Sequence, residues 1–214
     1  MGNNSERLWN SNFVKANVAN FMLFFAFYLL MPLMPLYMSD VFHSTKDVIG
    51  IVLSGYTVAA LAARPVSGFL VDSYPRKRVL LCCYFAFFIF FAGYLAAGTL
   101  LLFALVRTLH GAPFGALTVA NSTVAIDVPA SRRSEGIGYY GLSNNLAMAT
   151  GPSVAIWLYK GVHDFSVLFW LSLIVAGVGL LVDSTIRMPA GQKTPAVRRP
   201  MGLNRFFLTA GTRL

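Results

Sequence analysis

The chain has 214 residues, of which 57% are hydrophobic, 12% are charged and 18 are phenylalanine. Soluble domains carry roughly 25% charged residues, and a soluble fold this apolar would leave large patches facing water. A water-soluble globule is therefore excluded, and the net charge of +9 lies in short clusters without the basic stripe and interleaved aromatics that nucleic-acid binding needs.

A transmembrane helix needs about 20 predominantly apolar residues, and six runs meet that length. The first extends from Phe13 to Met38. Its apolar core is too long for a cleaved signal peptide, and Pro32 and Pro35 replace the small-x-small cleavage site, so it is expected to persist as a single helix. Asn17 and Asn20 punctuate this run, as amides that join helices or as contacts for a solute.

The second run spans Val48 to Val71 and contains Arg64 beside Pro65. Arg64 either snorkels to the membrane surface or forms a structural ion pair, or it has a role in function. The third run, Val79 to Ala97, carries the adjacent Cys82 and Cys83. Neighbours on a helix point about 100° apart, so these thiols read as small hydrophobes. No disulfide framework and no zinc spacing is present.

The fourth run, Leu100 to Val124, contains Arg107. A guanidinium at that depth needs a cavity or a partner. Arg107, His110, Phe114, Thr118 and Asn121 follow helical spacing along one face. That mixed stripe suits a water-lined cavity or, alternatively, a buried hydrogen-bonding hub. The fifth run, Gly136 to Tyr159, holds Asn144 and Asn145 and is rich in small residues. Ala147, Gly151 and Ala155 recur every four residues, which permits close helix approach, and Pro152 loosens the helix. The sixth run is Phe165 to Val182. No acid lies deep in any run: Asp40, Asp72, Asp127, Glu135 and Asp183 fall near ends.

Basic residues alternate between the loops. Arg7 and Lys15, then Arg76, Lys77 and Arg78, then Arg132 and Arg133, then the C-terminal stretch from Arg187 to Arg213 are the rich regions. The intervening loops carry Lys46 beside Asp40 and Asp47, no charge, and Lys160 beside Asp164. The positive-inside rule then places both ends in the cytoplasm, of a plasma (inner) membrane. The organisation expected is a cytoplasmic tail over 1–12, a six-helix transmembrane domain over 13–185, and a cytoplasmic linker over 186–214. Pro189, Pro195 and Pro200 interrupt that linker.

The segment Gly68-Phe69-Leu70-Val71-Asp72-Ser73-Tyr74-Pro75-Arg76-Lys77-Arg78 resembles the signature loop of the major facilitator superfamily. Arg107-Thr108-Leu109-His110-Gly111 resembles that family's fourth-span motif, and Gly138, Ala147 and Gly151-Pro152 resemble its fifth-span exporter motif. The resemblance covers nearly the whole chain and half the usual family length, and it looks like drug or sugar efflux members. It implies an all-α membrane fold of six transmembrane helices in two three-helix repeats, the N-terminal half of the family's architecture. It also implies a cytoplasmic gate at Gly68, Asp72, Arg76, Lys77 and Arg78, joined by Arg64. A conformational interface is implied at Gly138, Ala147, Gly151 and Pro152.

The expected function is secondary active transport, as proton-coupled efflux of a small amphipathic solute or drug. Arg107, His110, Asn121, Asn17 and Asn144 are the candidate solute or translocation residues. The alternative is a non-transporting membrane module that needs a partner half. Expected partners are the bilayer, a solute, protons, and a second six-helix half or a second copy, with no nucleic acid. No cofactor, metal site or catalytic residue is expected, since no HExxH, paired deep carboxylates, Ser-Lys or Cys-His arrangement is present.

Overall fold

The computed structural model describes residues 8–125 and 130–187. The described chain is helical, in the order α1 Ser11–Leu30, α2 Met34–Phe42, α3 Lys46–Ser73, α4 Arg76–Ala96, α5 Leu100–Ala125, α6 Arg133–Val162 and α7 Phe165–Ser184. A short 3-10 turn, Ala130–Arg132, leads into α6. Nearly all of the linker expected over 186–214, and residues 1–7 of the N-terminal tail, lie outside the described residues.

The first span departs from the single helix expected. α1 ends at Leu30 and α2 begins at Met34, both within one apolar stretch, Ser11–Phe42. The cause is the proline pair. Pro32 and Pro35 have no N–H to give to the carbonyls four residues earlier, those of Tyr28 and Met31. The chain passes through Leu33, whose N–H meets the Leu30 carbonyl at 3.1 Å, and restarts with Tyr37 N–H on the Leu33 carbonyl at 2.8 Å.

The other spans agree with the apolar runs to within a few residues. Their ends follow from local chemistry. The Asn10 side chain accepts from the Phe13 N–H at 2.8 Å at the start of α1, and Asp164 accepts from the Ser166 N–H at 2.8 Å at the start of α7. Each satisfies a donor that a helix start leaves orphaned. Pro75 separates α3 from α4. Ser11–Phe42, α3, α4, Leu100–Ser122 of α5, and α7 are long and apolar enough to cross a membrane. The 30-residue α6 is the longest helix, about 45 Å at the usual helical rise. Glycines, serines and asparagines dilute its hydropathy.

Packing repeats across the two halves of the chain. α3 lies along α5, and α1 lies along α6; α1 also packs on α7, α4 on α5, and α4 on α7. Exchanging spans one to three for spans four to six maps this set of neighbours onto itself, as two three-helix repeats require. The broad outward faces carry exposed Ile51, Leu61, Leu101, Leu105, Trp157 and Ile174, a surface suited to lipid and not to water.

Both ends of the bundle meet at one face. The Asn12 side-chain amide donates to the Arg187 carbonyl, and its oxygen accepts from the Arg187 N–H at 3.1 Å. The Lys77 ammonium, from the start of α4, donates to the carbonyls of Ser184 at 2.8 Å and Ile186 at 2.7 Å. A lysine here complements the negative end of α7. This face therefore gathers Lys15, Arg76, Lys77, Arg78 and Arg187, while the loops at the opposite face close through left-handed His43 and His163.

Candidate functional site

The tightest helix pair sets the position of Arg107. A Cβ placed on Gly111 would overlap the Tyr56 carbonyl, 2.9 Å from its carbon; one on Gly115 would overlap the Ala60 carbonyl, 2.7 Å from its carbon. Only glycine lets the α3 and α5 backbones approach this closely. The Ser67 hydroxyl adds a bond to the Ala116 carbonyl at 2.7 Å. Sequence reasoning singled out Ala147, Gly151 and Ala155 as the close-packing face and passed over Gly111-xxx-Gly115, although the same small-xxx-small spacing was there to read.

Held by this contact, Arg107 and His110 turn into the bundle. Arg107 is only 4% exposed and His110 1%. The guanidinium carbon lies 4.1 Å from the Tyr56 ring centroid, a cation–π contact on a desolvated face. One guanidinium nitrogen donates to the Tyr94 hydroxyl at 3.3 Å, and that hydroxyl lies 2.9 Å from His110 Nδ1. Tyr94 accepts from arginine and has one proton to give, so the relay is complete when His110 Nδ1 accepts and Nε2 carries the hydrogen. Phe87, Phe90 and Phe91 complete the wall around the imidazole, with centroids 4.7, 5.4 and 4.9 Å away.

Two features set this cluster apart from packing alone. Arg107 Nε is buried without a hydrogen-bond partner. Among the described residues no acid pairs with Arg107. A positive charge is thus held inside the bundle by rings and one phenol. Of the stripe, Arg107, His110 and Asn121 are buried, and half-buried Phe114 stacks on Phe27 at 4.6 Å.

Asn121 belongs to a second polar group about four turns further along α5. Its amide nitrogen donates to Asn20 Oδ1 at 3.3 Å, and Asn20 in turn donates to the Ser143 hydroxyl at 2.8 Å and the Tyr140 carbonyl at 3.3 Å. This line joins α5, α1 and α6. The Oδ1 atoms of Asn121 and Asn144 are buried without a partner. Asn17 does not join them; it donates to the Phe13 carbonyl of its own helix at 2.8 Å.

The remaining candidates separate into packed and open positions. Ala147 and Gly151 are buried in α6, and a Cβ on Gly151 would come within 2.8 Å of Tyr28 Cβ. Pro152 is half-buried beside it, while Gly138 faces open space. Arg64 and Asp72 are exposed, one turn either side of Gly68, where an added Cβ meets nothing within 4 Å. Arg78 is exposed, Arg76 is half-buried, and Lys77 is engaged with the end of α7. Tyr56, Tyr94 and Asn20, which the candidate set lacked, contact Arg107 or Asn121. Asp183, also outside the candidate set, lies near a helix end as expected but is fully buried.

The family model described as Major Facilitator Superfamily matches residues 16–209. The chain belongs to the major facilitator superfamily. Its relatives include the staphyloferrin B transporter of Staphylococcus aureus (strain NCTC 8325 / PS 47), 26% identical over 95% of this chain and 50% of that protein. The multi-drug resistance efflux pump PmrA of Streptococcus pneumoniae (serotype 4, strain ATCC BAA-334 / TIGR4) is 22% identical over 94% of this chain and 54% of the pump. Among solved structures, the human organic anion transporter MFSD10 (TETRAN) superposes with a TM-score of 0.66 at 19% identity, covering 83% of this chain and 47% of that one. The fold is therefore half of a major facilitator fold, and the chain spans about half the length of the curated relatives it matches. The superfamily's members are membrane transporters, not enzymes.

Proposed function

We propose that the chain is the N-terminal half of a proton-coupled carrier that exports a small amphipathic solute. Family membership carries the transporter class, and the buried, acid-free guanidinium of Arg107 carries the site. Two of the relatives are a staphyloferrin B transporter and a multi-drug resistance efflux pump by name, and the second supports an amphipathic cargo and outward movement. The unpartnered amide oxygens of Asn121 and Asn144 offer acceptors to the same solute, with His110 on the helix that carries Asn121 and Asn17 on α1. The basic face is cytoplasmic by the charge rule, and the membrane is the plasma (inner) membrane.

The open face of α3 supports a second half. Arg64, Gly68 and Asp72 lie along it, and the space over Gly68 is empty. A helix from a partner half, or from a second copy, packs there and closes the cytoplasmic gate with Asp72, Arg76, Lys77 and Arg78. The α1–α6 contact at Ala147, Gly151 and Pro152 is the interface that moves. The half-length match to the relatives favours one further reading, a membrane module silent until it meets its partner.

Energised cells in which the chain is assembled with a second half or a second copy are the test, with ethidium as the amphipathic probe. Extrusion that stops when a protonophore collapses the pH gradient is expected. Extrusion at the same rate with and without the protonophore would refute proton coupling.

A further inference from the structure

Asp183 lies on the last turn of α7 and is fully buried, whereas the other acidic side chains among the described residues are exposed. Neither of its carboxyl oxygens has a hydrogen-bond partner. The groups around it come from every helix packed on that turn. α4 supplies Lys77 and the phenol of Tyr84, and α6 supplies the phenol of Tyr140. α1 supplies Lys15, whose ammonium reaches the Thr185 carbonyl at 3.4 Å.

Two of these donors are turned elsewhere. Lys77 holds the carbonyls of Ser184 and Ile186, and the Tyr84 hydroxyl holds the Ala19 carbonyl at 3.3 Å. Burying an ionised carboxylate without hydrogen bonds is strongly disfavoured, so this arrangement fits the neutral acid. A polar cavity of about 710 Å³, lined by Lys15, Lys77, Ser184 and Thr185 among others, adjoins Lys77.

We propose that Asp183 is a proton-binding site at the basic face of the bundle, and that its occupancy decides where Lys77 sits. With the proton bound, the carboxyl stays buried and Lys77 caps α7. When the O–H bond breaks, the electron pair stays on the carboxylate and the proton leaves to water in the cavity. The Lys77 ammonium then turns from the two carbonyls to the carboxylate. The end of α7, which also holds Asn12 and Lys15 of the α1 region, is released with it. The step thus links protonation to the α1–α4–α7 junction. Its consequence for transport rests on the proton-coupled reading; the site itself does not.

Infrared spectroscopy of the chain in lipid nanodiscs, titrated with pH, tests the site directly. The wild type is expected to show a protonated-carboxyl C=O band that exchanges slowly in heavy water and disappears on alkaline titration. Asp183→Asn is expected to lose that band. Identical spectra for the two proteins across the titration would overturn the proposal. Should Asp183→Asn fail to fold, Asp183→Glu keeps an acid in place; a displaced band supports the site, and an undisplaced one overturns it. The readout requires no transport, so a chain that moves no solute leaves it intact. Transport indifferent to the pH gradient, with the band present, removes the coupling and not the site.

Discussion

Gly115→Ala and Gly111→Ala are each expected to destabilise the bundle by on the order of 3 kcal/mol. The new methyl at either position lands on backbone, the Ala60 or Tyr56 carbonyl. A flexible side chain can swing aside, but a carbonyl within a helix moves only if the whole of α3 moves. The intrinsic gain of a helical Gly→Ala exchange, about 1 kcal/mol, is too small to offset that. Gly138→Ala is the matched control, because nothing lies within 4 Å of its Cβ position. The yield of monodisperse protein and its apparent melting temperature in detergent separate the cases. Both should drop for Gly111 and Gly115 and hold or rise for Gly138. Equal melting temperatures for all three would mean that α3 and α5 are not in backbone contact.

Arg107→Met is expected to separate stability from transport. Methionine approximates the aliphatic stem of arginine, fills irregular space, and removes a buried charge that no acid among the described residues compensates. Its melting temperature should match or exceed that of the wild type. Arg107→Ala leaves a cavity beside Tyr56 and Tyr94 and should cost about 2 kcal/mol or more. Transport by the assembled carrier should fall with both, on the order of 10²-fold, the scale of loss when a contacting group is misplaced by about 1 Å. Normal transport by Arg107→Met would reduce the cluster to a structural hub. The same strain between stability and activity is common where a site holds an unpaired polar group.

The spans were legible because hydropathy has a length requirement set by the bilayer. Charge alternation also gave the pairing of both bundle ends at one face, which Asn12, Lys77 and Arg187 now display. The break between Leu30 and Met34 was readable in outline from Pro32 and Pro35, but hydropathy alone ran through it, since both sides are equally apolar. Gly111 and Gly115 carried a packing signal that the proline-bearing fifth span overshadowed. Tyr94 could not be found. It comes from α4, 16 residues away from His110, and nothing in one sequence marks which of many aromatic residues turns toward an arginine. Asp183 misled for a related reason. Distance from a helix end along the chain measures depth in the membrane, not enclosure by neighbouring helices, and three helices close over that carboxyl.

The mass of the detergent-solubilised particle, with bound detergent subtracted, tests the half-carrier reading most directly. Two copies of the chain, or one copy with a second six-helix polypeptide, are expected, so that twelve spans enclose the solute path and the face at Gly68 is covered. A monodisperse particle of one copy that takes up no second half would contradict that reading.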